Sequence, residues 1–583
     1  AAEAAAAAAS QAPFIPAAAF QGAIPGYFFQ AGEEGIGYYK DKHRPAEEAP
    51  VREVPQVDPE ALLKEAEEAA ADAEVLELLD VKSLRRLMIA FDRKYQANVQ
   101  QRMKYSDAPE KFMDSEVELA SEMKKLFVIA GSPELYPELV NLGHIPTLLE
   151  LLRHENVDIA ADAIDLIREL TDGDAIEDNE EEAEALVDAL LENNAMELLV
   201  QRLVAFDESV DEEAAAVFNA LSIVENLVEV RPPVAEAVME KTKILKWMLS
   251  RLKPKEFGTV KQSVSELLGI LMQASEKNQK MLGAAGGIDT LLTSVAPYRS
   301  RDPASHEEEE FMENVFDVLT SCLLQLENKQ LFVEAEGIQL MLLVLKRKKS
   351  AARAAALKAL DFAMTKFAPA VDQFVGFTDE SGGLLGLKLL FSIFMGKVKL
   401  KKKGEGSIDK EVEERSVSLI SNIFQGLSRG AKRDRIAAKF VESEYEKCDR
   451  LIEVFFTYYE LVVAAEEELV EQEEEYGEQE RLLARMDAGL YTLQQCSLII
   501  GYLWNMGDMG IRRRVLMLLH QKGCALSIVR DTLQEYHDNI GQGDSDEFSK
   551  QKRRVMRLID SMRLSDASGA DPAEGWKERK ARK

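Results

Sequence analysis

A recurring amphipathic unit is the feature that most limits the folds open to this chain. The stretch GHIPTLLELLRHENVDIAADAIDLI, Gly143–Ile167, places apolar residues at every third or fourth position in two runs separated by a polar break. Similar units recur roughly 40 to 50 residues apart, the period of HEAT and armadillo arrays. They begin near Asn194, Ile244, Gly286, Glu336 and Gly382. One such unit leaves its apolar face in water unless neighbouring units cover it, so the pattern predicts an all-α, armadillo/HEAT-like α-α superhelical solenoid.

Composition divides the rest of the chain into segments. The predicted organisation is a low-complexity Ala/Pro-rich tail at 1–57, an N-terminal helical cap at 58–105, armadillo-like repeats at 106–430, long-helix C-terminal repeats or a cap at 431–545, and a basic tail at 546–583. Both tails are expected to be flexible, because their composition buries little apolar surface. The cap is expected to open with a helix that has Asp58 as its N-cap and Pro59 at its first position. Aromatic side chains in Phe14–Gln30 predict that this part of the tail docks in a groove of a partner or of the solenoid.

Charge and cysteine usage narrow the function classes. The chain has 583 residues, 46% of them apolar, and a formal net charge of −32. Such a charge attracts basic partners and repels phosphate backbones, so we expect no direct nucleic-acid binding through the main body. The four cysteines show no CxxC spacing, which is typical of core thiols in a reducing compartment. No apolar run approaches the roughly 20 residues that a membrane span needs, so we expect no membrane insertion.

The sequence carries no recognisable catalytic or ligand-binding motif. Its six histidines form no HExxH or His/Cys cluster, and neither a GxxxxGK[ST] loop nor a GxSxG elbow occurs. We therefore predict no catalytic, metal or cofactor site and interpret the chain as a non-enzyme. A role as an enzyme, or as a regulatory subunit of one, remains the third hypothesis behind the two described below.

Six stretches, in order over roughly residues 75–545, carry a resemblance to a known family. They are PEKFMDSEVEL (109–119), FDESVDEEA with IVENLVEVRP (206–232), GGIDTLL with FMENVFDVLTSCL (286–323), EGIQLM with ALKALDFAM (336–364), RMDAGLYTLQ (485–494) and IVRDTLQEYHDNIG (528–541). In these stretches the chain resembles the beta-catenin-like family of nuclear armadillo-repeat proteins. The N-terminus departs from the family because it lacks a basic, localisation-signal-like run. Lys346–Lys349 and the C-terminal tail are the alternative basic segments.

The resemblance implies a nuclear scaffold of the pre-mRNA splicing machinery. The family is associated with the spliceosomal nineteen complex and its CDC5-like subunit, and with binding basic, localisation-signal-like peptides of splicing factors and of a cytidine deaminase. An acidic superhelical surface is compatible with such partners, since it pairs with Lys and Arg side chains of an extended peptide. The alternative function is a nuclear-import-type adaptor that recognises basic localisation signals.

Candidate partner-binding residues come from comparison with armadillo peptide-binding proteins. In those proteins an Asn on the last helix of each repeat holds the peptide backbone, and a Trp one turn earlier stacks on basic side chains. The matching positions here are Glu169, Asn226, Asp361 and Gln425, and only Asn226 keeps the amide in its context. Trp504 with Asn505 is a further candidate pair, and the alternative interpretation is that the two residues end a buried helix near Gly507. None of the three tryptophans stands one turn before the matching positions, which disfavours the import-type alternative.

Overall fold

The computed structural model describes the chain in eleven segments. They are residues 14–16, 27–32, 35–40, 79–173, 179–253, 256–273, 275–379, 382–397, 406–471, 477–541 and 546–567. The chain separates into two compact units, Ala1–Glu77 and Leu78–Lys583. The predicted helix opening at Asp58 lies outside the described residues.

The first unit contains a small antiparallel sheet that the sequence analysis did not anticipate. Its strands are β1 (Phe14–Pro16), β2 (Tyr27–Gly32) and β3 (Gly35–Lys40), in the order β1-β3-β2. In the hairpin of β2 and β3, Tyr27 pairs with Lys40 and Gly32 with Gly35, and only two residues connect the strands. Part of the segment predicted to be a flexible tail therefore has regular structure. The sequence lacks the Asn-Gly turn that usually marks a two-residue hairpin.

The second unit is built from α-helices. In chain order they are α1 (Val81–Lys104), α2 (Met113–Leu126), α3 (Tyr136–Asn141), α4 (Ile145–Glu150), α5 (Val157–Leu170), α6 (Glu180–Glu192), α7 (Ala195–Ala205), α8 (Asp211–Val230), α9 (Val234–Lys241), α10 (Ile244–Leu252), α11 (Thr259–Gln273), α12 (Glu276–Ala284), α13 (Gly287–Val295), α14 (His306–Cys322), α15 (Leu326–Glu334), α16 (Gly337–Lys346), α17 (Arg353–Met364), α18 (Ala368–Gly376), α19 (Leu385–Phe394), α20 (Gly406–Gly426), α21 (Ala431–Glu471), α22 (Glu478–Asp487), α23 (Leu490–Met506), α24 (Met509–Gln521), α25 (Ser527–Asn539) and α26 (Asp546–Ala567). Short 3-10 turns lie at Pro109–Lys111, Phe127–Gly131, Pro133–Leu135, Leu151–Arg153 and Ala296–Arg299.

Helices α3 to α20 form six successive triplets, each closed by a longer third helix. These third helices pack directly on one another in the sequence α5, α8, α11, α14, α17, α20, and α23 continues the row. We call this row the ladder. Buried Leu, Ile, Val and Phe residues from every triplet join into one continuous core. The predicted all-α solenoid is confirmed, and neighbouring three-helix units cover one another's apolar faces.

A left-handed residue marks the junction between the first two helices of several triplets. Gly143, Asn194, Gly286 and Glu336 all have φ between 59° and 77°, a conformation that ends one helix and redirects the chain into the next. At two junctions the following residue is a glycine under a large side chain. A Cβ at Gly337 would lie 2.6 Å from the Phe332 ring, so only glycine permits this approach.

Beyond the triplets, one helix is surrounded by others. Helix α23 is buried along most of its length and contacts α20, α21, α25 and α26, as expected for a helix that is apolar on every side. Helix α26 packs on α23 and α25 through buried Val555, Leu558, Ile559 and Met562. Asp546–Ala567, the first part of the segment predicted to be a basic tail, is therefore helical and packed on α23 and α25, because this basic segment also has an apolar stripe.

Candidate functional site

A group of six carboxylates lies on the first three ladder helices. We call it the acidic face, and it comprises Asp158, Asp162 and Asp165 of α5, Glu225 and Glu229 of α8, and Glu266 of α11. On α5 and on α8 the carboxylates are three or four residues apart, so those of each helix share one side of it. Asn219 of α8 links the first two helices by donating from Nδ2 to the Asp165 Oδ1, 2.6 Å away.

The carboxylates of the acidic face repel one another. Burial raises the pKa of Glu225 above its ordinary value, and the charges of Glu266 and Glu229 raise it further. Burial also raises the pKa of Asp162, where Asp165 and Asp158 add to the rise and Lys124 opposes it. Within the described residues, no ion pair joins Asp162, Glu225 or Glu266 to a cation. Lys124 compensates part of the charge at Asp162, whereas Glu225 lies beside two like charges and would be stabilised by a cationic ligand.

An aromatic side chain lies on the same stretch of the ladder. Phe218 of α8 precedes Asn219 and is 51% exposed, which is unusual for a large apolar side chain in a helix that is otherwise well packed. A ring among carboxylates suits Lys and Arg, whose aliphatic stems pack on aromatic surface while their charged ends reach the acids. The sequence analysis missed this combination, although the spacing of Asp158, Asp162 and Asp165 on a last helix was a readable signal.

Two of the predicted residues border the acidic face. The Glu169 carboxylate is ion-paired with the guanidinium of its neighbour Arg168 and is partly exposed. The Asn226 Nδ2 donates to the Thr171 Oγ1 at 3.4 Å and so bridges α8 to the end of α5. Both residues lie on ladder helices, and their role in binding a partner stays a prediction.

Asp361 occupies a different environment from the one predicted for it. Its side chain is buried, 4% exposed, between α17 and α20. The carboxylate accepts from the Ser418 Oγ at 2.6 Å, the Arg415 Nη1 at 3.1 Å and the Asn422 Nδ2 at 3.2 Å. With its oxygens occupied in this way, Asp361 joins two ladder helices and does not present a free carboxylate to a peptide.

The three remaining candidates lie at the far end of the ladder. The Gln425 Nε2 donates to the Ser421 Oγ of its own helix at 3.0 Å. Trp504 is buried, 2% exposed, beneath the guanidinium of Arg512, which also donates to the Trp504 carbonyl oxygen. Buried indole surface is not available to a peptide, so the Trp504 prediction does not fit this conformation. Asn505 is half-buried beside it.

The described residues contain neither a metal-binding cluster nor a membrane-spanning helix. No group of three or more His, Cys, Asp or Glu side chains in these segments is arranged to hold a metal ion. Among the described helices, none combines the length and apolar character required to cross a membrane. Within the described residues, the acidic face is the candidate binding site.

The ladder of triplet units with an open charged face defines an armadillo-type α-solenoid, a class of protein-interaction proteins that are typically non-catalytic. The family described as "Catenin-beta-like, Arm-motif containing nuclear" matches residues 60–534. The chain belongs to this family.

Individual relatives agree with the family assignment. The chain is 39% identical over 495 residues to "Beta-catenin-like protein 1" of Bos taurus, which covers 83% of this chain and 86% of the relative. Identity to the Homo sapiens protein of the same name is 38% with the same coverage. The "Beta-catenin-like protein 1 homolog" of Schizosaccharomyces pombe is 30% identical over 463 residues, with 78% of each chain covered. Family membership and the solenoid together support a protein-interaction scaffold.

The solved structures that align with the chain are more distant. A chain from the study "A conserved phosphorylation switch controls the interaction between cadherin and beta-catenin in vitro and in vivo" aligns with 82% of this chain and 82% of its own length, at 14% identity and a TM-score of 0.46. A computationally designed armadillo repeat protein for modular peptide recognition aligns with 48% of this chain and 99% of its own, at 17% identity and a TM-score of 0.33.

Proposed function

We propose that the chain is a nuclear, non-enzymatic scaffold of the pre-mRNA splicing machinery, associated with the nineteen complex, and that its acidic face holds basic segments of partner proteins. The observation that carries the binding part is the uncompensated charge around Glu225 and Glu266. Family membership supports the nuclear scaffold, and the resemblance described from the sequence supports splicing factors, including a CDC5-like subunit, as partners.

Binding at the acidic face would use many modest contacts. Each Lys or Arg of an extended peptide meets one or two carboxylates, and Phe218 offers an apolar surface for one aliphatic stem. Exposed charge pairs are screened by salt, with a Debye length of about 8 Å at physiological ionic strength. The affinity should therefore fall steeply as salt is added.

Charge reversal tests the proposed face. We expect the double variant Glu225→Lys/Glu266→Lys to bind a fluorescein-labelled peptide of consecutive Lys and Arg residues at least ~10-fold more weakly than the wild type, because close charge pairs couple by one to several kcal/mol. Fluorescence anisotropy measures the affinity. The matched control is Asp289→Lys/Glu327→Lys, which changes the net charge equally at exposed sites away from the ladder. An equal loss of peptide affinity in the two variants would show that only net charge matters, and would contradict a specific site.

The splicing assignment is tested separately. Crosslinking mass spectrometry of the tagged full chain in nuclear extract should recover splicing factors joined to the ladder. Recovery of cytoplasmic or adhesion proteins alone would contradict the assignment. An import-type adaptor would instead recover transport factors. The bridging role of Asn226 and the burial of Trp247 and Trp504 disfavour this alternative.

A further inference from the structure

A pocket lies far along the chain from the acidic face. It has a volume of about 450 Å³ and is enclosed by α19, the residues just before α19, and the first half of α21. Its apolar floor consists of Leu384, Leu387, Phe391 and Met395. Phe391 is itself fixed by edge-to-face packing on Phe440, with the ring centroids 5.5 Å apart. The floor is therefore a preformed surface for one apolar side chain.

The rim of this pocket is basic, the opposite of the chain as a whole. Five cationic side chains line it, namely Lys388, Lys397, Arg435, Lys439 and Lys447. Glu442 is the single acid among the lining residues. We call the whole site the basic pocket. The chain has a formal net charge of −32, so such a cluster makes the electrostatic potential positive at one place on a negatively charged protein.

Internal ion pairs compensate only part of this positive charge. Glu442 is shared by Lys439, at 2.9 Å, and Lys447, at 3.5 Å. The Lys397 Nζ pairs with Glu446 at 3.1 Å. Lys388 and Arg435 are exposed, and in the described part of the chain neither has an ion-pair partner. At least two cations at the mouth are therefore available to an anionic ligand.

An unusual turn holds the wall of the pocket in place. Ser443, Glu444 and Tyr445 all have left-handed φ values, from 53° to 69°, a run that costs free energy for residues other than glycine. The turn interrupts α21 between Glu442 and Lys447, two residues that line the pocket. The Lys447 Nζ, on a residue only 8% exposed, lies 5.9 Å from the centroid of the Phe391 ring. Such strain persists only where the surroundings over-determine the conformation.

We propose that the basic pocket binds an acidic peptide segment of a partner protein, with one apolar side chain on the Leu387–Phe391 floor and flanking carboxylates at Lys388 and Arg435. The apolar floor distinguishes this ligand from a bare anion, which would leave the partly exposed Leu384 and Met395 uncovered. The overall negative charge disfavours RNA, because an extended polyanion would be repelled beyond the pocket. The site differs from the acidic face in its elements and in the charge of its ligand, so it goes beyond the proposed function.

The test uses the full chain and a fluorescein-labelled peptide, DEEDLFEEDG, with DEEDSSEEDG as the control lacking the apolar anchor. We expect the first peptide to bind, and Lys388→Glu/Arg435→Glu to weaken it at least ~10-fold, since two close charge pairs are reversed. The matched control Lys243→Glu/Lys246→Glu makes the same charge change at exposed positions by α10 and should alter affinity less than ~2-fold. Equal thermal midpoints establish that each variant is folded. The milder Lys388→Ala/Arg435→Ala replaces the first variant if charge reversal disturbs folding.

Four results would overturn the proposal. The first is that the acidic peptide does not bind, and the second is that the two peptides bind equally well. The third is that the two double variants lose affinity equally. The fourth is that a single-stranded RNA oligonucleotide or inorganic phosphate displaces the peptide and binds more tightly at the same residues. Binding of the basic peptide by Lys388→Glu/Arg435→Glu reports on the acidic face separately. Failure of one site is thus distinguishable from failure of the other.

Discussion

At the scale of single residues, buried charges hold the ladder together. Asp361 accepts hydrogen bonds from three side chains of the neighbouring ladder helix, and Lys329 donates from Nζ to the Thr365 carbonyl oxygen at the end of α17. A buried charge is tolerated only when its partners are in place. Asp361 consequently joins two successive units, and Lys329 joins the first and third helices of one unit, contacts that a periodic apolar pattern alone does not specify.

Removing the Asp361 carboxylate should destabilise the solenoid. Asp361→Ala leaves Arg415, Ser418 and Asn422 without their shared acceptor, and we expect a loss of about 3 kcal/mol in the free energy of unfolding. Denaturant unfolding followed by circular dichroism measures it. The control Asp317→Ala removes an exposed partner of Lys358 and should cost less than about 1 kcal/mol. Similar losses in both variants would show that Asp361 is not a buried anchor.

Lys329 should give the protein a specific pH dependence. Burial lowers the pKa of Lys329 to about 8, although the charge of Asp361 opposes the shift. Above about pH 8 the native state releases this proton while the unfolded chain keeps it to about pH 10, so the contribution to stability rises with pH in that window. The melting temperature of the wild type, relative to Lys329→Met, should therefore increase between about pH 7.5 and 9.5. A parallel pH profile for the two proteins, as expected for the exposed control Lys243→Met, would contradict it.

At the scale of elements, the helix junctions explain how one pattern repeats with different residues. The same left-handed position is filled by Gly286 before α13 and by Glu336 before α16. Glycine adopts this conformation without steric cost, whereas Glu336 pays for it. A left-handed junction can be predicted from the sequence where it contains glycine, but not where Asn or Glu occupies the same position.

Exchanging residues at these junctions should move stability in opposite directions. Glu336→Gly relieves the strain of an exposed side chain at φ 59° and should raise the free energy of unfolding by up to about 1 kcal/mol. Gly286→Ala introduces the same strain at φ 77° and should lower it by about 1 kcal/mol. Differential scanning calorimetry of both variants measures the shifts. Changes of the same sign would mean that the junction conformation does not control stability.

At the scale of the whole molecule, the repeat and the fold class could be predicted because apolar periodicity survives substitution of individual residues. The partner-binding positions were harder to predict. Asp361 and Trp504 matched a sequence context, but burial depends on neighbours such as Arg415 and Arg512 that lie elsewhere in the chain. Packing of helix α26 was not predicted, because the average composition of the segment is charged and its apolar stripe is narrow. The acidic face emerges only when α5, α8 and α11 are placed side by side.

The most direct test of the account is hydrogen exchange of the full chain with and without the basic peptide. Peptide held on the acidic face should slow exchange in Val157–Leu170, Asp211–Val230 and Thr259–Gln273, and the protection should diminish as salt is added. Protection confined to other helices, or no protection at peptide concentrations that saturate anisotropy, would contradict the claim that the ladder presents its negative charge to partner chains.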